Sequence, residues 1–142
     1  MGDVKNDVDR DAIVNELLQE HPIDEMVKFD QFNLQEKLRK NTDLVAKYTD
    51  LLNKEKADLE YLQEMLEKLY GQRYHHYRFN YEENLDKKEI EKYYLPADPQ
   101  IIQMKRIIRK QQIRVNFFNL CVKSLDRQYW GIRTFLDAEK LT

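Results

Sequence analysis

The sequence predicts an all-α fold, in which an antiparallel hairpin of two long, coiled-coil-like helices carries a short helix at each chain end. Three observations support this prediction. The 142 residues include only three glycines and three prolines, which favours long helices over sheets. Two segments repeat apolar residues at heptad spacing. About twenty residues join these segments, as suits antiparallel neighbours within one domain.

A tail and a short helix are predicted before the hairpin. Residues 1–10 are polar, so we expect a frayed tail. Asp11 can cap a helix over residues 11–21. This helix should end before Pro22, because the residue that precedes a proline avoids helical geometry.

The first long helix is predicted over residues 30–77, since nothing in the sequence breaks a helix before Gly71. Asn41 and Glu55 interrupt its apolar repeat. Polar residues at such positions set the register of a helix pair at some cost in stability. The apolar positions are Leu34, Leu38, Val45, Tyr48, Leu52, Leu59, Leu62, Leu66 and Leu69.

A connection over residues 80–97 leads to a second long helix over residues 98–125. Asp98 is a suitable N-cap, and Pro99 a suitable first helical residue because that position needs no backbone donor. A heptad seam, broken only by Gln111, then predicts packing against another helix. It comprises Ile101, Met104, Ile108, Val115, Phe118, Val122 and Leu125.

The polar run over residues 126–128, followed by Gly131, predicts a kink or short break. Glycine costs about 1 kcal/mol inside a helix. A terminal helix is expected over residues 128–140. A two-helix hairpin leaves its apolar face uncovered, and large exposed apolar patches usually mark interfaces. We therefore predict an oligomerisation surface made of Tyr129, Trp130, Ile132, Phe135 and Leu136.

Charge is distributed unevenly along the chain. The net charge of −2 combines −8 over residues 1–67 with +6 over residues 99–142. No acidic residue occurs between Asp98 and Asp126. A solvated helix normally mixes both signs, so this basic face indicates an anionic partner, such as nucleic acid, or front-to-back self-association. Its cations are Lys105, Arg106, Arg109, Lys110, Arg114 and Lys123.

A second basic and aromatic cluster spans residues 68–81. Bases of single-stranded nucleic acid stack on aromatic rings while cations neutralise phosphates. The alternative is that the tyrosines complete the hairpin core and that the cations favour the helix C-terminus. The candidate DNA-binding residues are Lys68, Arg73, Tyr74, Tyr77 and Arg78, together with Lys105, Arg106, Arg109 and Lys110 of the second helix.

The sequence shows no signal for an enzyme, a metal site or a cofactor. His75 and His76 are adjacent, which is not the spacing of helical zinc ligands. Three scattered glycines form no phosphate-binding loop. The single cysteine, Cys121, is expected to be a small buried hydrophobe in a reducing, cytoplasmic compartment. We see no signal peptide or membrane-spanning run, and expect a soluble protein without a membrane partner.

Four local patterns occur in order along residues 30–136. They are a Leu-x-x-Lys-Tyr run with a later glutamate, a basic residue before aromatics, an Ala-Asp helix start and a closing aromatic-x-Ile-basic run. Their residues are Leu44, Lys47, Tyr48 and Glu55, then Arg73 to Tyr77, then Ala97, Asp98, Ile101, Ile102 and Met104, and finally Lys123, Ser124, Trp130, Ile132 and Arg133. This order resembles the UvsY family of recombination mediators from T-even-like phages.

The resemblance implies a protein that binds single-stranded DNA and promotes loading of a RecA-type phage recombinase in place of the phage single-strand-binding protein. It also implies a ring-like homo-oligomer, a hexamer or heptamer, in the host cell cytoplasm. The alternative, which needs no family, is a non-enzymatic coiled-coil module with a structural or chaperone-like role. In that case the charge asymmetry would serve subunit pairing and no nucleic acid would bind.

Overall fold

The computed structural model describes the backbone of residues 2–81 and 83–140, and the side chains of residues 9–81 and 83–140. Over these residues it contains helices and no strand, which confirms the predicted all-α class. The elements are α1 (Gly2–Glu20), α2 (Ile23–Met26), α3 (Leu34–Phe79), α4 (Lys87–Glu89), a π-helical turn (Ile90–Tyr94), α5 (Leu95–Ala97) and α6 (Pro99–Lys140).

The chain divides into two compact units. The terminal unit comprises Met1–Glu55 and Ile113–Thr142, and the central unit comprises Lys56–Gln112. Both long helices contribute residues to both units. That the chain forms one domain, as its length indicates, stays a prediction.

In the terminal unit, α3 and α6 pair in antiparallel order. The Asn41 amide, early in α3, donates to the backbone oxygen of Leu125 at 2.7 Å. Glu55, two heptads later, lies 2.7 Å from Nη2 of Arg114, which comes earlier in α6. The contacts therefore run forward along α3 and backward along α6, as in the predicted hairpin.

Among the described side chains of α1 and α2, Leu17 and Ile23 are buried in the core of the terminal unit. His21, between these helices, lies edge-on to Tyr48 and Phe118, with ring centroids 5.4 and 5.2 Å away. The N-terminal segment thus covers the seam between the long helices. The long helices bury Leu34, Tyr48, Leu52, Val115, Phe117, Phe118, Cys121, Leu125 and Ile132 in this unit.

The expected break at residues 126–128 is not present, since α6 is one helix from Pro99 to Lys140. Gln128, which the sequence placed in a polar interruption, is buried. It accepts a hydrogen bond from Asn41 Nδ2 at 3.0 Å and donates one to the Met26 backbone oxygen at 3.0 Å. Because tertiary partners satisfy this amide, the polar residue belongs inside the helix pair rather than at a helix end.

Gly131 also lies within α6, where the sequence predicted a kink. A Cβ atom built there would lie 3.1 Å from Cζ of Phe29. That is closer than ordinary van der Waals contact, so the missing side chain makes room for the Phe29 ring. Glycine at this position has a low helix propensity, but it allows the Phe29 ring to pack closely against α6.

The N-terminus differs from the expected frayed tail, because α1 begins at Gly2 rather than near Asp11. No proline or further glycine occurs before Glu20. Acidic residues early in the sequence also favour the N-terminal end of a helix dipole. These local preferences support a longer helix than its apolar pattern indicated.

In the central unit, the end of α3 and the start of α6 enclose the connection. Asp86 caps α4, accepting from the Glu89 backbone N–H at 2.8 Å. Helical turns then continue to Ala97. One buried apolar cluster of this unit consists of Tyr77, Leu85, Ile90, Leu95 and Ile101.

Candidate nucleic-acid interface

Asp98 organises the basic and aromatic cluster of the central unit. Its side chain is 1% exposed, and Oδ2 accepts hydrogen bonds from Arg73 Nε at 2.8 Å and from the Tyr77 hydroxyl at 2.6 Å. Two side chains that we predicted to contact DNA are thus held by a buried carboxylate. The Arg73 guanidinium also lies over the Tyr77 ring, 5.3 Å from its centroid.

The other carboxylate oxygen of Asp98 caps α6, as the sequence predicted. Oδ1 accepts from the backbone N–H groups of Gln100 at 2.9 Å and Ile101 at 3.1 Å. Burial alone would raise the pKa of Asp98. The hydrogen bonds from Tyr77, Arg73 and Ile101 outweigh burial, so the pKa lies below its ordinary value. Asp98 is therefore a buried anion that ties the end of α3 to the start of α6.

The remaining cluster residues are more accessible. Lys68 and Arg78 are exposed, while Arg78 donates from Nη1 to the backbone oxygen of Leu85 at 2.6 Å. Tyr74 is half-buried and packs against the core of the central unit. The alternative raised from sequence, that tyrosines complete the core, thus holds for Tyr77 and in part for Tyr74.

The basic face of α6 is exposed at Lys105, Arg106, Arg109 and Lys110. Lys105 lies over the Tyr70 ring, 5.7 Å from its centroid. Among the described residues, Arg106 and Lys110 form no ion pair. Their charge is therefore available to an external anion.

Two further cations of the predicted basic face lie in the terminal unit. Arg114 is committed to a bidentate interaction with Glu55, in which Nε contacts both carboxylate oxygens at 3.1 Å. Lys123 is exposed. Glu55 was predicted to set the register of the helix pair, and the ion pair explains why an acid is tolerated in the seam.

Three tyrosines form a contiguous aromatic wall beside the Asp98 network. The ring centroids of Tyr77, Tyr81 and Tyr94 are 5.4 to 5.6 Å apart. These are ordinary edge-to-face separations. The wall joins the end of α3 to the connection.

This wall borders a cleft of about 690 Å³, lined by Arg73, His76, Tyr77, Tyr81, Glu89, Tyr93, Tyr94 and Ala97. The sequence did not lead us to Glu89, Tyr93 or Tyr94. One signal could have found the tyrosines, because Lys92-Tyr93-Tyr94 repeats the basic-aromatic pattern of the first cluster. Local spacing gave no means of predicting that the two clusters meet.

The predicted oligomerisation residues all lie in the terminal unit and fall into two groups. Ile132 is fully buried within the chain, and Tyr129 and Leu136 are half-buried. Trp130 is 60% exposed, and Phe135 is also exposed. Only the second group presents large apolar surface outside a single chain.

Cys121 is fully buried, as predicted, and burial raises the pKa of its thiol to about 11. Little thiolate therefore forms at neutral pH. The described residues contain no group of three or more histidine, cysteine or acidic side chains suited to a metal ion. No helix in the described part of the chain has the length and apolar character needed to cross a membrane.

The chain matches no protein-family model, no curated protein and no solved structure.

Proposed function

We propose that this protein is a non-enzymatic mediator that binds single-stranded DNA through its central unit. The observation that carries the proposal is the exposed one-sign face of α6 in the same compact unit as a basic and aromatic cluster. All nine candidate DNA-binding residues lie in that unit. Cations there can neutralise phosphates, while aromatic rings can stack on bases.

Electrostatics should dominate the affinity. Arg106 and Lys110 stand one helical turn apart on an exposed face without acids, so they can follow successive phosphates. Arg73 and Tyr77 have a different role, because both side chains already donate hydrogen bonds to Asp98. They fix the geometry of the surface, and substituting them would disturb folding as well as binding.

The test is a fluorescence-anisotropy titration of labelled oligo(dT) over a range of salt concentrations. Arg106→Gln combined with Lys110→Gln should weaken binding. It should also reduce the slope of log affinity against log salt, by about 0.7 for each phosphate that is no longer neutralised. Arg39→Gln combined with Lys54→Gln is the matched control, because it removes one exposed arginine and one exposed lysine from the terminal unit.

Equal effects of the two double variants would contradict a localised interface. Absence of wild-type binding at low salt would contradict the nucleic-acid function altogether and favour the coiled-coil structural or chaperone-like module.

The role in recombinase loading rests on the resemblance to the UvsY family. The partners would be a RecA-type phage recombinase and the phage single-strand-binding protein. The measurement is DNA-dependent ATP hydrolysis by the recombinase on DNA saturated with the single-strand-binding protein. Adding this protein should shorten the lag before hydrolysis without contributing hydrolysis of its own. An unchanged lag, with DNA binding intact, would contradict the mediator role.

A ring-like homo-oligomer, a hexamer or heptamer, is the expected functional form. The exposed Trp130 and Phe135 of the terminal unit supply apolar surface for subunit contacts, whereas Ile132 serves the fold of each chain. Sedimentation of Trp130→Glu should give a smaller mass than wild type. Phe32→Glu is the control, because Phe32 is 89% exposed in the same unit and lies outside the predicted surface. A wild-type monomer would contradict assembly.

A further inference from the structure

The cleft of the central unit has a composition that the proposed electrostatic contacts do not require. The cleft is lined by Tyr81, Tyr93 and Tyr94. These tyrosines lie outside α6 and α3, which carry the basic residues of the proposed DNA-binding surface. Tyr93 is 62% exposed and lines the cleft. An exposed aromatic lining of this kind is available to a flat, unsaturated ligand.

Ring geometry distinguishes between two kinds of ligand. Tyr77, Tyr81 and Tyr94 contact one another directly, with centroids no more than 5.6 Å apart. The space between them is filled by the rings themselves, whereas an aromatic cage for a quaternary ammonium ion needs an open centre. The cluster therefore forms a wall, against which a planar group can pack.

The polar groups of the cleft include both hydrogen-bond donors and hydrogen-bond acceptors. Arg73 keeps further guanidinium N–H groups besides the Nε that donates to Asp98. The exposed Glu89 contributes a carboxylate acceptor. Donors paired with acceptors at one aromatic surface match the edges of nucleobases, which present ring nitrogens, carbonyls and exocyclic amines.

The cleft volume is compatible with such a ligand. About 690 Å³ falls within the usual range for small-molecule sites. The ammonium group of Lys92 lies 5.4 Å from the ring centroid of Tyr93, which lines the cleft. A cation next to a stacking surface can contact the phosphate of a nucleotide whose base enters the cleft.

We propose that the cleft binds one unstacked base of a single DNA strand, with Tyr93 and the tyrosine wall as stacking surfaces and Glu89 and Arg73 at the base edge. This inference rests on the proposed function, because the base arrives on a strand held by the basic face. It adds a site that reads the base rather than the phosphate. The cleft contribution to affinity is accordingly independent of salt.

The decisive variant is Tyr93→Ala, with Tyr61→Ala as its matched control. Both tyrosines are 62% exposed, and both lie in the central unit, but Tyr61 does not line the cleft. Neither substitution removes a buried side chain, so both proteins should fold. Tyr81→Ala gives a second variant of the cleft.

Three measurements separate stacking from charge. Tyr93→Ala should weaken binding of oligo(dT) about tenfold without changing the salt slope, since a base-aromatic stack contributes roughly five- to hundredfold in affinity. On an abasic strand of equal length and charge, the wild type and Tyr93→Ala should bind equally. At saturating wild-type protein, the emission of a single 2-aminopurine in oligo(dT) should be quenched, and Tyr93→Ala should restore it.

The outcomes separate the two proposals. Equal affinities of Tyr93→Ala, Tyr81→Ala and Tyr61→Ala for oligo(dT), with Arg106→Gln/Lys110→Gln still weakened, would overturn the base site and leave the proposed function standing. Absence of binding by the wild type would overturn both. Competition of tetramethylammonium with 2-aminopurine quenching at constant ionic strength, but not of sodium, would assign the cleft to cations and overturn the base site.

Discussion

Different interactions stabilise the interior of the terminal unit and the interior of the central unit. In the terminal unit an apolar seam containing Phe118, Leu125 and Ile132 is closed by α1 and α2, and two buried amides add directional contacts. In the central unit an apolar cluster that includes Tyr77 and Ile101 is accompanied by the buried carboxylate of Asp98, which joins two helices. Among the described residues, the terminal unit buries the aromatic rings of Tyr48, Phe117 and Phe118, whereas the central unit buries that of Tyr77 and leaves Tyr81 and Tyr93 exposed beside its cleft.

This difference separates the predicted roles along the chain. All nine candidate DNA-binding residues lie in the central unit, and all five candidate oligomerisation residues lie in the terminal unit. A surface for a flexible anionic strand needs accessible rings and cations, which an apolar seam would bury. A polar tether such as Asp98 leaves those groups accessible while fixing the backbone beneath them.

The largest expected effect comes from breaking the terminal unit with Phe118→Glu. Phe118 is 1% exposed, and an unpaired charge there should cost several kcal/mol against a total stability of about 5–15 kcal/mol. We expect loss of a cooperative circular-dichroism melt. Leu120→Glu is the control, because Leu120 is 52% exposed two residues away and should melt like wild type. Similar melts for all three proteins would refute the importance of the seam.

The central unit should be most sensitive at Asp98. Asp98→Ala removes the helix cap and the partner of Arg73 and Tyr77, and should cost about 3 kcal/mol in urea unfolding. Asp98→Asn can keep an oxygen at the cap and should cost less. If both variants unfolded at the wild-type urea concentration, the tether would contribute no net stability.

The stability that ionised Asp98 contributes should depend on pH. The folded-state pKa of Asp98 is lowered from its ordinary value of 3.8, so its ionised form stabilises the fold above that pH. This stabilisation is lost as pH falls below 3.8 through the folded-state pKa. Urea midpoints of wild type and Asp98→Asn should therefore converge in this range. A difference that stays constant as the solution is acidified to about pH 2 would contradict the ionised carboxylate.

An intermediate effect is expected from the two amides. Asn41→Leu deprives Gln128 of one of its buried hydrogen bonds and should destabilise by about 1–3 kcal/mol. Adding Gln128→Leu should recover part of that stability, because both partners are then apolar. Urea unfolding of the two single variants and the double variant measures the coupling. Additive effects would show that the amides do not act as a pair.

The smallest changes in stability are expected from replacing one glycine in each unit with alanine. Gly71→Ala should stabilise by about 1 kcal/mol, because the new methyl group meets nothing within 4 Å and helix propensity alone applies. Gly131→Ala should gain less or destabilise, because its methyl group would approach Phe29. Removing that ring with Phe29→Ala should restore the gain. Thermal melts of the variants measure these differences in stability. Equal gains in stability at both glycines would contradict the close approach of Phe29 to Gly131.

Local signals in the sequence predicted the features that depend on neighbours along the chain. Asp98-Pro99 marked the start of α6, and the heptad seam identified Phe118 and Leu125 as buried apolar positions. These predictions succeed because capping and helical periodicity act over a few residues.

Features that depend on distant partners were predicted less well. Gln128 and Gly131 suggested a break because their compensating contacts, with Asn41, Met26 and Phe29, come from elsewhere in the sequence. The cleft was missed for the same reason. Its Tyr93 and Glu89 belong to the connection, and no periodic pattern relates them to α3.

The buried amides also bear on how the chain avoids misfolding. Heptad repeats permit neighbouring alignments, since sliding one helix by seven residues again matches apolar positions. In such a slipped hairpin Asn41 and Gln128 would face apolar side chains, and each unsatisfied amide would cost about 1–3 kcal/mol. With two such amides the slipped state falls to about one molecule in thirty or fewer. Because Gln128 also bonds the Met26 backbone, the correct alignment is favoured again when the N-terminal segment docks.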